Sequence, residues 1–221
     1  SNFSNSAVTC SNSANADLKD CVIHDNYSFG CYVSDDKSHL KLVSCKLMNH
    51  NRSGTLHCAN RSVIRCVDCK IEADLEPHAQ IYNGGKVSMK NCDLTNSMKG
   101  VGIYVREDGI FKCNNVKIHD EVGRAIDIGK KGVVIAVDST FSNNAGCGIA
   151  VGQYGSGTFT NCVFDSNGQT GIQMRGGNLT LNNCTISNHE IQGIILTKSS
   201  NLVDNCTKFS KNGQNNILYT E

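Results

Sequence analysis

Thr158-Phe159-Thr160-Asn161-Cys162-Val163-Phe164, then Gly171-Ile172-Gln173-Met174, is followed at once by Leu179-Thr180-Leu181-Asn182-Asn183-Cys184-Thr185-Ile186, then Gly193-Ile194-Ile195-Leu196. This is one pattern written twice. A short alternating strand reaches an Asn-Cys corner, a second short strand and a polar turn follow, and a small residue opens a third strand. Self-similarity at a period of about 20–50 residues marks a stacked repeat.

The register extends in both directions. The corner falls at Cys21, Cys45, Cys69, Cys92, Val116, Ser139, Cys162, Cys184 and Cys206, at spacings of 22–24 residues. The last copy carries one extra residue before Phe209. The small residue that opens the third strand falls at Gly30, Gly54, Ala79, Gly102, Ala125, Gly148, Gly171 and Gly193, with Asn216 in the last copy. Before the corner stand Asp20, Ser44, Asp68, Asn91, Asn115, Asp138, Asn161, Asn183 and Asn205. Asn and Asp tolerate left-handed backbone and bond to nearby main chain, so this polar ladder reads as structural, hydrogen-bonded from coil to coil.

Three short strands per turn, with no room for a helix, specify an all-β solenoid, a parallel β-helix of about nine coils of 22–24 residues. Inward residues on the second strand are Ile23, Leu47, Ile71, Leu94, Ile118, Phe141, Phe164 and Ile186; on the first they include Leu42, Met89 and Leu181. One domain spans 1–221. It starts in mid-repeat without Met, as a piece cut from a longer protein would, and its open ends need a cap from missing sequence or a partner.

Composition narrows the classes. Lys and Arg total 21 against 20 Asp and Glu, so the whole chain offers no electrostatic case for nucleic acid or an anionic membrane. No apolar run is long enough to span a bilayer. The cysteine count is 13, an odd number, and seven of them share the corner position. Stacked coils hold equivalent side chains parallel, which disfavours disulfide geometry. The thiols therefore read as a reduced, buried ladder and point to an intracellular, cytoplasmic setting. Sequons such as Asn26-Tyr27-Ser28 and Asn178-Leu179-Thr180 arise readily in a chain so rich in Asn and Ser.

The pattern resembles the right-handed parallel β-helix superfamily, the pectate-lyase-like fold, along essentially the whole chain. The copies at 158–174 and 179–196 match its generic repeat most closely. The resemblance implies a binding groove along one strand face. In the superfamily's enzymes, that groove serves polysaccharide lyases, galacturonan hydrolases or epimerases. It extends to intracellular β-helix proteins, such as F-box β-helix ubiquitin-ligase adaptors and the Nessun Dorma and SHC-binding cytokinesis proteins. Fold does not dictate function, so the site must be read from side chains.

Outward positions of the third strand run Tyr32, Leu56, Tyr104 with Arg106, Asp127, Ala150, Gln173 with Arg175, and Ile195 with Thr197. Tyr104, Arg106, Asp127, Gln173 and Arg175 form the candidate ligand strip. If the chain is an enzyme, Asp127, Arg106 and Arg175 are its catalytic candidates. A two-carboxylate glycosidase needs a pair about 5–10 Å apart, and the cognate positions flanking Asp127 are Tyr104 and Ala150. Arg106 and Arg175 stand three coils apart, about 14 Å. His24-Asp25 and His119-Asp120 recur at one turn, with no nucleophile repeating beside them; His57, His78 and His189 read as turn residues. Cys66 and Cys69 have a C-x-x-C spacing without a second pair, so neither a metal nor another cofactor is expected. Gly129-Lys130-Lys131-Gly132 lacks the spacing of a phosphate-binding loop.

The reading that follows is a monomeric, non-catalytic binding or scaffold module whose long face recognises a protein partner or a glycan. The rival is a carbohydrate-active enzyme of the same fold. A trimeric tail-spike or adhesin segment is the third class.

Overall fold

The computed structural model describes residues 6–50, 53–72, 76–98 and 100–221. These residues hold strands and no helix. Every strand pair is parallel, and the strands stack into one ten-stranded and two nine-stranded sheets. Each coil gives one strand to each sheet, as His39–Val43, Lys46–His50 and Leu56–Cys58 do. Side chains alternate across each strand, and the inward rows meet in one continuous core. Leu47, Ile71, Leu94, Ile118, Phe141, Phe164 and Ile186 are all fully buried in one row. Such a side chain contributes about 1.5–3 kcal/mol. Phe141 and Phe164 stack at 5.1 Å, and Phe159 meets Phe164 edge-on at 5.5 Å.

The first corner is a single left-handed residue. Asp20, Ser44, Asp68, Asn91, Asn115, Asp138, Asn161 and Asn183 all have φ between 50° and 54°. This ladder lies on the exposed side of the corner. Its amides still bond between coils, with Asn115 Nδ2 donating to Asn91 Oδ1 at 3.0 Å and Asn183 Nδ2 to Asn161 Oδ1 at 2.9 Å.

The cysteine that follows turns inward, and its thiol has a specific task. Cys45 and Cys69 point at the carbonyls two residues back at 3.3 Å, those of Val43 and Val67. Ser139 does the same with its hydroxyl, to Val137 O at 2.8 Å. A small side chain carrying one weak donor therefore suits the corner, although buried Val116 fills the same place in the fifth coil without one. All thirteen cysteines are free thiols. In the last coil the ladder slips by one residue. Asn182 pairs with Asn205 and Thr185 with Lys208. Cys206 therefore takes the left-handed corner (φ 65°) and is exposed, while Thr207 takes the thiol's place. The extra residue before Phe209 is absorbed there, so six cysteines share the ladder position, not seven.

The second corner holds a ladder that sequence reading did not single out. Left-handed Asp25, Asn49, Asn96, Asp120, Asn143, Ser166 and Asn188 precede, respectively, Asn26, His50, Ser97, Glu121, Asn144, Asn167 and His189. All seven of the latter are at most 5% exposed. Backbone N–H groups bond to the side chain one coil on: Glu121 to Asn144 Oδ1, Asn144 to Asn167 Oδ1 and Asn167 to His189 Nδ1, each at 3.1 Å. The equivalent position 74 lies outside the described residues. His78 and His189, expected in turns at the surface, are thus core residues, as is His50.

This ladder needs room, and the third strand supplies it. A Cβ on Gly30 would come within 2.6 Å of the His50 ring, one on Gly171 within 2.5 Å of His189, and one on Gly148 within 3.1 Å of Asn167. Each small residue receives the ladder side chain of the next coil. The pairing register also corrects two expected members of this small-residue row. Leu56 pairs with Cys31 and with Ala79, so the row runs Gly30, Thr55, His78, Gly102. Gly54 precedes it and Ala79 follows it. Where bulky His78 occupies the row, the next coil's ladder residue is Ser97, the smallest in the series.

Two outcomes are expected. Asn167→Leu strips partners from Asn144 and from the Phe141 carbonyl, and each orphaned buried group costs about 1–3 kcal/mol. The variant should lose about 3 kcal/mol or more in denaturant unfolding, several times the loss in surface Asn161→Leu; equal losses would refute the buried ladder's role. Burial raises the Cys113 thiol to about 12 and the Cys147 thiol to about 11, and thiolate is the reactive form. Native-state labelling should modify Cys206 first and half-exposed Cys21 next, with the rest waiting on unfolding. A fast phase that survives in Cys206→Ser would contradict this.

Candidate functional site

The outward row of the ten-stranded sheet follows from the pairing register: Tyr32, His57, Gln80, Tyr104, Asp127, Ala150, Gln173 and Ile195. Because of the shift described above, His57 and not Leu56 belongs to it; Leu56 is fully buried. His57 lies on the strand Leu56–Cys58 rather than in a turn.

The first half of this face is aromatic. Tyr32 and His57 stack at 4.7 Å with rings 2° from parallel, since adjacent coils hold their Cβ atoms in register. Phe29 lies 4.8 Å from His57, and Tyr82 6.2 Å from it on the other side. Burial among these rings holds the His57 imidazole below its usual range. Burial likewise raises the Tyr82 hydroxyl, with the Arg106 charge pulling the other way.

The middle of the face is charged. The Arg106 guanidinium lies 4.6 Å from the Tyr104 ring centroid, a cation–π contact. Its side chain crosses Gly129, where a Cβ would lie 2.8 Å from it. Asp127 Oδ1 accepts from Arg106 Nη2 at 3.4 Å, and Oδ2 from Arg124 Nη1 at 2.8 Å. The Asp127 side chain is 16% exposed. Of the five candidates, Tyr104, Arg106 and Asp127 come together. Gln173 stands two coils beyond Asp127, and Arg175 lies three coils from Arg106 on an exposed stretch. Arg124 escaped sequence reading. Its three-residue spacing from Asp127 on the strand Arg124–Ile128 carried no signal of the contact.

Both carboxylate oxygens of Asp127 are engaged by guanidinium groups, and its row neighbours are Tyr104 and Ala150. On the neighbouring nine-stranded face, His119 is held between Asp120 (Nδ1, 2.6 Å) and Asp93 (Nε2, 2.9 Å). Burial opposes its protonation, but the two carboxylates outweigh burial and raise it. With both nitrogens occupied it is a structural clasp. Beneath the ten-stranded sheet, fully buried His78 pairs with Glu121 at 2.8 Å, and Glu121 also accepts the Ser97 N–H. Among the described residues no group of three or more His, Cys, Asp or Glu is placed to hold a metal.

The profile of the right-handed β-helix region family matches residues 1–118 and 101–221. The chain therefore belongs to the right-handed β-helix family. No curated protein matches it. No solved structure matches it either.

The ladder histidines carry a pH dependence. Burial pushes His50 down to about 4 and lowers His189 as well. A depressed histidine binds its proton more readily unfolded, so stability is full above about 6.5 and falls as pH drops toward the folded value. Between about pH 6.5 and 4, His50 alone should cost up to about 3 kcal/mol. Its neighbour-like replacement His50→Asn should flatten that limb of the melting-midpoint profile; an unchanged profile would remove His50 as the cause.

Proposed function

We propose that this β-helix is a non-catalytic binding module of a reducing, intracellular compartment, and that its ten-stranded face recognises a protein partner. One observation carries the choice of partner: the Tyr32, His57 and Tyr104 rings each already have one face covered. Tyr32 and His57 cover one another, and Arg106 covers Tyr104. A pyranose packs flat on an open ring face; this face instead presents ring edges, hydroxyls and guanidinium groups. Tyr and Arg, held rigid, are the residue types that anchor protein interfaces, and rigid side chains lose little entropy on docking.

A glycan is the second reading, favoured by Tyr82, whose ring is tilted 41° from its neighbour rather than stacked. The enzyme alternative draws less support, because Asp127 is engaged on both oxygens and has no carboxylate beside it in the row. The thirteen free thiols support the compartment.

The test compares the wild-type domain with Arg106→Glu and Tyr82→Ala as bait in cell extract, beside an oligosaccharide panel read for binding and cleavage. Expected is a protein captured by the wild type, reduced at least tenfold by either substitution at unchanged melting temperature, with the sugar panel silent. Sugar binding without cleavage would replace the protein by a glycan. Cleavage lost in Asp127→Asn would make this an enzyme.

A further inference from the structure

The near-zero net charge of the chain conceals a local concentration. On one nine-stranded sheet, the strands His39–Val43, Val63–Val67, Lys86–Lys90 and Ile110–Asn114 lie side by side. Their outward positions include Lys41, Arg65, Lys86, Lys90 and Lys112 and no carboxylate. Among the described residues none of these five cations has an ion pair, although Lys46, Lys70, Arg106 and Arg124 elsewhere do.

Four of them surround one hydroxyl. Ser88 pairs with Arg65 on one side and Lys112 on the other, each about 4.8 Å away by strand spacing. Lys86 and Lys90 flank it along its own strand, two residues off on the same face, about 6.6 Å. A concavity of about 450 Å³ opens here, walled by Arg65, Lys86, Ser88 and Lys112 with Val63 and Ile110. A planar carboxylate monoanion is satisfied by one guanidinium. Three cations lining one concavity with a hydroxyl donor, and Lys90 two residues along from that hydroxyl, suit a tetrahedral dianion with more acceptor oxygens, a phosphomonoester.

The surroundings say what carries that phosphate. The column through Ser88 and Lys112 continues to Ile135, which is 37% exposed and flanked by Val133 and Val137. Ile135 stands two coils from Ser88, about 10 Å, close to one three-residue turn of polyproline II chain, which returns to the same face after about 9 Å. The cations stop at Lys112, and these four strands present no Phe, Tyr or Trp outward. Single-stranded nucleic acid would want a longer basic track with stacking rings. We propose that this face binds a phosphorylated segment of a protein in polyproline II conformation, with its phosphate over Ser88 and an apolar side chain three residues away, on the same face of that segment, over Ile135. This rests on a different sheet from the proposed partner face and stands independently of it.

The probes are fluorescein-labelled nonapeptides with a central phosphoserine and isoleucine three residues before or after it, each paired with its unphosphorylated form. A single-stranded oligonucleotide and phosphoinositide vesicles run beside them. Fluorescence anisotropy should show at least tenfold tighter binding of one phosphorylated peptide, weakening with salt. Ser88→Asp and, separately, Lys112→Gln should each lose that preference at unchanged melting temperature, and Ile135→Ser should weaken it severalfold. Equal binding of phosphorylated and unphosphorylated peptides, or none, overturns the proposal. So does phosphopeptide binding that survives both Ser88→Asp and Lys112→Gln, or tighter binding of the oligonucleotide or vesicles through the same residues.

Discussion

The stack depends on an exchange of volume between neighbouring coils. A polar side chain enters the core at the second corner of one coil and occupies the space left by a small residue on the third strand of the coil before. Gly30 admits His50, Gly102 lies against Glu121, Gly148 against Asn167 and Gly171 against His189. The incoming groups then take up backbone N–H groups that the tight corner leaves without strand partners. A buried N–H without an acceptor would cost more than most apolar contacts return. Where the exchange runs in reverse, at His78 and Ser97, Glu121 reaches back across the gap to bond His78 Nε2 and accept the Ser97 N–H. The parallel register along the whole solenoid is held to that fit.

The first corner solves the same problem differently. A left-handed Asn, Asp or Ser turns the chain outside, and a thiol or hydroxyl donates to the carbonyl two residues back inside. A small side chain fits there: Ser139 replaces cysteine and keeps the bond, while buried Val116 fills the place without a donor and the Thr207 hydroxyl in the last coil has no hydrogen-bond partner.

A frame repeated this strictly makes surfaces by addition. Equivalent positions on successive coils stand about 4.8 Å apart, so like side chains form rows without long loops to shape them. On the ten-stranded face, the rows place rings against rings and two arginines on one aspartate. On a nine-stranded face, they place four cations around Ser88. The chemistry of each face is therefore set by which residue occupies each rung.

The hydrophobic rows, the corner ladder and the coil count were legible in the chain, because a period near 23 residues repeats alternating strands through nearly every copy. The buried ladder at Asn26, His50, Ser97, Glu121, Asn144, Asn167 and His189 carried the same period, but its residue types change from coil to coil. Polarity alone read as an exposed turn. The misplacement of Gly54 and Ala79 in the small-residue row had the same root: sequence favours the smallest candidate, whereas the pairing register follows backbone hydrogen bonds. The cations around Ser88 come from residues up to two coils, or 47 positions, apart, and Arg124, though only three residues from Asp127, meets it through a side-chain reach that spacing does not signal. The sequence by itself determined the architecture, because burying an alternating strand is a local demand repeated along the chain. Only the tertiary structure decided which side chains meet, since a one-residue slip within a coil exchanges the inward and outward faces.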